Sequence, residues 1–368
     1  MKRFSAHYKI QVLDGEQIDK KLTGIAYEQS VELPPDVISD RIREAIVGRI
    51  EHVEELAAGQ FKAEISYPVE NTGGEINQFL NVLFGNISIK PGIQVVDVDW
   101  QPFTDLFGGP AFGIPGIREQ LSIPKRALSC TALKPMGMSA KELGEFAYQF
   151  ALGGIDIIKD DHGLANQSYA PFSERLEACV EGIARANRET GGNSVYYPNI
   201  TASPTTTFER YKQAAETGAG GVLLSPHLCG LEIMHELART TEPNLPIMGH
   251  PAFSGSYVVN PGQGFSHGFL YGSLWRALGA DFAIYPNTGG RFSFTPEECG
   301  GINSMARTEE SPFKPIFPTP GGGMQRKTIP HWLEKYGADT VFLIGGSLYQ
   351  HPEGIVAAAS EIAELLAS

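Results

Sequence analysis

The chain has 368 residues, 42% apolar and 19% charged, enough for one small and one large domain around a sizeable core. Its 42 acidic against 29 basic residues leave a net charge of −13 with no basic block, which argues against nucleic acid or anionic membrane as a partner. There is no run of 18 apolar residues, no apolar stretch behind Met1-Lys2-Arg3 and no CxxC pair among the four cysteines. A cytoplasmic protein with reduced thiols, no structural zinc and no membrane span is the expectation.

Taken in order, residues 4–13 alternate as a strand does, and Ile38, Ile42, Ile46 and Ile50 stand four apart and predict a helix over 35–56. Residues 61–67 and 93–100 predict two further strands. Residues 26–32 read as a loop carrying Glu28 and Glu32, and Phe84-Gly85-Asn86 reads as a turn. Residues 1–121 are therefore expected to form a small α+β domain.

From residue 122 to 368 short apolar strands alternate with amphipathic helices. The strands fall at 128–134, 155–161, 194–201, 221–226, 246–252, 282–287, 315–320 and 340–346. Helical spacing fills the intervals at 140–152, 171–187, 208–217, 231–240, 265–278 and 329–336, more weakly at 295–305, and closes the chain at 354–367. Strand and helix repeating eight times over roughly 250 residues predict a (β/α)8 TIM barrel. An open doubly wound sheet fits less well, since the Gly-rich fingerprint after its first strand is missing.

Such barrels do their chemistry at the carboxyl ends of the strands, and here those ends are polar. The first strand ends in Lys134-Pro135-Met136-Gly137 and the second in Lys159-Asp160-Asp161-His162. The third offers Asn199 and Thr201, the fourth His227, the fifth His250. The sixth leads into Asn287-Thr288-Gly289-Gly290-Arg291, the seventh into Gly321-Gly322-Gly323, the eighth into Gly345-Gly346-Ser347.

A solvated loop with a surface ion pair would explain the second strand end, and a satisfied core imidazole would explain His227 or His250. The alternative is a divalent metal that polarises a carbonyl while a base removes the neighbouring proton. Oxygen donors favour Mg²⁺, and an imidazole among them leaves Mn²⁺ or Zn²⁺ open. Glycine turns after the seventh and eighth strands let backbone N–H groups approach a phosphate where barrels commonly hold one, at Gly322, Gly323, Gly345 and Gly346.

Lys134-Pro, Gly153-Gly154-Ile-Asp leading to Lys159-Asp160-Asp161, then Gly322-Gly323 and Gly345-Gly346 resemble, in this order, the ribulose-bisphosphate carboxylase (RuBisCO) superfamily. The resemblance spans the whole barrel and, more loosely, the N-terminal domain, which it implies is ferredoxin-like. It implies that Lys159 is carbamylated by CO₂ and binds Mg²⁺ with Asp161, His162 standing where the family has a glutamate. It implies that Lys134 handles the substrate proton, that His250 lines the site, and that Glu28 and Asn86 complete it from the N-terminal domain of a partner subunit. The implied assembly is a head-to-tail homodimer with shared sites, or a higher oligomer built from it.

The departures exclude CO₂ fixation as an expectation. Met136 replaces a lysine, Pro251 an arginine and Gly321 a serine, and Arg291 is the nearest group to the family's mobile lysine after the sixth strand. His162 leaves the metal shell with two negative charges instead of three, or else carries protons near neutral pH; an uncarbamylated Lys159 could itself act as a base. The residues thus point to a RuBisCO-like isomerase of a ketose phosphate, of which 5-methylthioribulose-1-phosphate fits best. One rival is a decarboxylase or hydrolase of a branched 3-oxo sugar-acid phosphate, with Arg291 on the substrate carboxylate. The other is a binding protein without catalysis.

Overall fold

A computed structural model describes residues 1–292 and 294–367. β1 (Arg3–Gln11) buries Phe4, Ala6, Tyr8 and Ile10 on one face, as strict alternation requires. It pairs antiparallel with β3 (Gln60–Pro68) and β4 (Ile93–Val98), while β2 (Arg49–Ala57) holds the edge against β3. The helices Ile18–Glu28 and Ile76–Phe84 contribute Leu22, Ile25, Phe79 and Leu83 to the buried core beneath this sheet. Strand, helix, two strands, helix and strand in this order make the ferredoxin-like arrangement that the resemblance implied.

The long helix expected over 35–56 does not form. Asp40–Ala45 alone is α-helical, and Arg49–Ala57 is the edge strand. Gly48 explains the break, because a Cβ there would lie 2.7 Å from the Tyr67 ring and 3.0 Å from the Ala26 carbonyl. Only a bare backbone passes so close, and beyond it the free edge of β3 is available for pairing. The isoleucine spacing was coincidence, for Ile50 is exposed. Glu28 is likewise not in a loop: it ends the Ile18–Glu28 helix.

Eight strands form the second sheet: β5 (Leu128–Leu133), β6 (Ile157–Asp160), β7 (Val195–Tyr197), β8 (Val222–Leu224), β9 (Ile247–Gly249), β11 (Phe282–Pro286), β12 (Phe317–Gly321) and β13 (Val341–Ile344). All pairings are parallel, and a bridge between Asn199 and Leu223 closes the barrel between β7 and β8. Inside, Leu128, Cys130, Ile157, Tyr197, Met248, Phe282 and Phe317 make a solid core. The helix Gly113–Leu121 seals its lower end with Ile114, Ile117 and Leu121. Buried Asp281 fastens that seal, accepting hydrogen bonds from the N–H groups of Phe112 (3.0 Å), Gly113 (2.7 Å) and Ile247 (2.9 Å).

Between β9 and β11 the barrel lends β10 (Gly264–Phe265) to the first sheet, where it runs parallel to β4 as a fifth strand. Trp100 adds to this junction by stacking on Phe269 and donating its indole N–H to Ser273 Oγ at 2.8 Å. Among the described residues no helix is long and apolar enough to cross a membrane.

Candidate active site

The two adjacent aspartates at the end of β6 do opposite jobs, because successive strand residues face opposite ways. Asp160 is fully buried and accepts from Arg175 Nε at 3.1 Å, Tyr196 Oη at 2.6 Å and the Asn199 N–H at 2.9 Å. Arg175 comes from the helix Phe172–Thr190 and is also fully buried, so this pair is a structural tie behind the barrel wall. Asn199 extends the tie, donating its side-chain amide to the carbonyls of His162 and Leu164, both at 2.9 Å. The loop leaving β6 is thereby held at its exit.

Lys159 is 2% exposed, and its ammonium donates to the Asp160 carbonyl at 3.0 Å. Among the described residues no carboxylate lies within ion-pair distance of it. Burial first, then the charge of Lys134, lower its pKa against the opposing pull of Cys130 and Asp161. Lys134 Nζ meets Asp161 Oδ1 at 2.8 Å, and His162 Nδ1 stands 3.7 Å from the same oxygen. Burial alone would raise the Asp161 carboxyl, but hydrogen bonds to His162 and Lys134 and the charges of both lysines hold it well below the usual carboxylate range.

His250 completes the group. Its ring stacks on His162 at 4.4 Å between centroids, and burial, reinforced by Lys159 and His162, pushes its pKa well below the ordinary histidine value. His250 Nδ1 accepts the Ala252 N–H at 3.1 Å, which leaves Nε2 to carry the proton of the neutral ring. Lys134, Lys159, Asp161, His162 and His250 therefore converge at the mouth, two lysines against one carboxylate in a chain whose net charge is −13. His227 stands apart from them, packed on Tyr257 and Trp275 with its pKa lowered to about 4 by burial.

Gly322 and Gly323 both adopt positive φ, +79° and +71°, and Gly323 packs backbone to backbone on Gly290 of the preceding loop. Gly345 and Gly346 have no atom within 4 Å of where a Cβ would stand. Ser347 Oγ donates to the Met324 carbonyl at 3.3 Å and so ties the two glycine turns together. Arg291 is exposed and lies 4.7 Å over the ring of its neighbour Phe292. Glu28 and Asn86 meet each other, Asn86 Nδ2 donating to Glu28 Oε1 at 3.1 Å beside a polar cavity of 160 Å³. No hydrogen bond or ion pair among the described residues joins these two to the mouth of their own barrel.

Two features were not read from the sequence. Tyr349 reaches the exit of β5, donating to the Ala132 carbonyl at 2.8 Å and accepting from the Lys134 N–H at 2.9 Å. Phe253 is 75% exposed with φ +68°, and Phe292 is 67% exposed. They put two apolar rings on the loops that follow neighbouring strands β9 and β11.

A family model of the ribulose bisphosphate carboxylase large chain, catalytic domain, matches residues 113–366. The chain belongs to the RuBisCO family. A 5-methylthioribulose-1-phosphate isomerase of Rhodospirillum rubrum is 34% identical over 351 residues, covering 95% of this chain and 92% of that protein. A 2,3-diketo-5-methylthiopentyl-1-phosphate enolase of Bacillus pumilus is 32% identical over 366 residues, covering 97% and 90%. The crystal structure of a Rubisco-like protein from Rhodopseudomonas palustris superposes with a TM-score of 0.89 at 35% identity, covering 99% of this chain and 97% of that one.

The family's metal needs three anionic or imidazole donors. Among the described residues no three His, Cys, Asp or Glu side chains gather to hold an ion. Asp161 and His162 could offer two donors, and a third would have to come from Lys159. That lysine suits the role: it is buried without a carboxylate partner, and its lowered pKa favours the neutral amine that adds CO₂. The donor set fits a RuBisCO-type magnesium site on this condition. Met136, where a carboxylase has lysine, sets its thioether over Gly163, its sulfur 2.7 Å from where a Cβ would lie, and puts apolar bulk beside the site in place of a charge.

Proposed function

We propose that this RuBisCO-like protein is an isomerase of a ketose phosphate carrying an uncharged tail, 5-methylthioribulose-1-phosphate or a close analogue. The observation that carries this reading is the buried Lys159 beside Asp161, with Lys134 on the same carboxylate and neutral His250 alongside. Mg²⁺ held by Asp161, carbamylated Lys159 and His162 would polarise the substrate carbonyl and acidify the adjacent C–H.

The chain's own residues do the rest. Lys134, nearly half exposed at the rim, in its neutral form takes the proton from the carbon beside the carbonyl and returns it to the former carbonyl carbon, while the proton of the adjacent hydroxyl passes to the old carbonyl oxygen, so the carbonyl moves and no atom is gained or lost. His250 donates from Nε2 to a substrate oxygen. The backbone at Gly322, Gly323, Gly345 and Gly346 holds the phosphate. Pro251 offers no charge after β9, and the exposed rings of Phe253 and Phe292, the latter beside Arg291, suit a methylthio tail better than a second phosphate. Glu28 and Asn86 of the partner subunit close the mouth in a head-to-tail dimer.

The Bacillus pumilus relative's name supports a second reading, enolisation of a diketo methylthiopentyl phosphate, which needs the same proton removal and the same tail. The experiment is exchange in D₂O with Mg²⁺ and bicarbonate, each methylthio ketose phosphate in turn, followed by NMR. Deuterium at the carbon beside the carbonyl with a moved carbonyl supports the isomerase, and an enol product from the diketone supports the alternative. Neither exchange nor product from either substrate overturns both.

A further inference from the structure

Where β13 leaves the barrel, its neighbour β5 continues. The last paired residues are Ile344 and Thr131, and Gly345 then turns away at φ −108°, ψ −113°. Ala132 and Lys134 would be left with an unpaired carbonyl and N–H on that side. The phenol of Tyr349 takes both, donating to the Ala132 carbonyl at 2.8 Å and accepting from the Lys134 N–H at 2.9 Å. In a parallel ladder one residue of the adjacent strand donates to residue i−1 and accepts from residue i+1. One hydroxyl therefore does for Leu133 what the missing residue of β13 would have done. The ring is held for this by Phe146 at 5.7 Å and Phe150 at 5.4 Å, both on the helix Ala140–Leu152.

We infer that Tyr349 is a positioning residue which aligns Lys134 and links that alignment to whatever occupies the Gly345–Gly346 turn. Tyr349 ends the short helix that Gly346 begins, so an anion seated on the turn bears on the tyrosine through a single turn of backbone. The tyrosine in turn fixes the main chain from which Lys134 reaches Asp161. The vacated ladder position thus serves twice: it frees backbone at the glycines for a ligand, and a side chain keeps the strand register there. The kinetic part of this inference rests on the proposed proton transfer by Lys134 and the effect of phosphate on the proposed anion site; the brace itself rests on neither.

The test is Tyr349→Phe, which keeps the ring and its packing and removes only the hydroxyl. Hydrogen exchange by mass spectrometry should show the Lys134 amide exchanging at least about fivefold faster, with the amides of β6 and β11 unchanged. Inorganic phosphate should slow that amide in the wild type and not in the variant. With Mg²⁺ and the ketose phosphate, kcat should fall roughly tenfold to a hundredfold while KM stays within about twofold. Lys134→Met combined with Tyr349→Phe should be no worse than Lys134→Met alone. Unchanged protection of the Lys134 amide would overturn the brace. A loss in the double variant beyond that of Lys134→Met would overturn the action through Lys134. If the wild type turns over no ketose phosphate, the functional reading fails, and amide protection still decides the brace.

Discussion

Asp160 and Asp161 are the same residue in sequence and opposite in consequence. Replacing Asp160 by Asn strands the Arg175 guanidinium, which is wholly inside the protein, and should cost about 3–5 kcal/mol. Differential scanning calorimetry should show a midpoint roughly 4–10 °C lower. Asp161→Asn removes a partly covered carboxylate whose lysine partner is nearly half exposed. Its midpoint should fall by clearly less than that of Asp160→Asn, since no wholly buried partner is stranded. Its Mg²⁺-dependent deuterium exchange into substrate should fall at least about a hundredfold. Identical stability losses in the two variants would contradict the division of labour. Much of this was readable, since a period of two places Lys159 and Asp161 on one side of the strand and Asp160 on the other. The arginine behind Asp160 was not, because it arrives from a helix whose sequence gives no sign of what it faces.

At the scale of elements, the barrel strands were legible because each is a short apolar run buried on both faces and punctuated by turn residues. The edge strand β2 was not: all of its residues are exposed, so no apolar face betrays it, and its pairing depends on β3 lying free. Tyr349 escaped for a related reason, since its task exists only where one strand stops short of its neighbour.

Asp281, which fastens the helix Gly113–Leu121, gives a prediction with a sign. Burial pushes its carboxyl up to about 6, against the hydrogen bonds from Ile247, Gly113 and Phe112 that favour the anion. The folded protein then binds this proton more tightly than the unfolded chain does. Its contribution to stability is complete below about pH 4 and is lost as pH rises through about 6. Denaturation in urea across that window should show this fall, and Asp281→Asn should flatten it, its deficit of roughly 1–3 kcal/mol being largest below about pH 4 and shrinking as pH rises through about 6. A window in which the two proteins run parallel would refute the assignment.

For the whole molecule, the proposed site is divided between two copies. Glu28 and Asn86 bond to each other beside an open polar cavity, and among the described residues neither bonds to Lys134 or Lys159 of its own barrel. Mixing a Lys159→Ala variant with a Glu28→Gln variant after dissociation and reassociation should restore activity that neither has alone, because one mouth in the mixed dimer is intact. Chromatography would confirm the mixed species, and no recovery in its presence would mean that each chain serves itself. The two halves of one chain are less separable than their two sheets suggest. Since the barrel lends β10 to cover the edge of β4, a cut between the sheets would bare a row of amides and carbonyls ready to pair with any neighbour. That borrowed strand stitches the barrel to the small sheet along β4, so severing the chain between them would cost both halves a strand pairing.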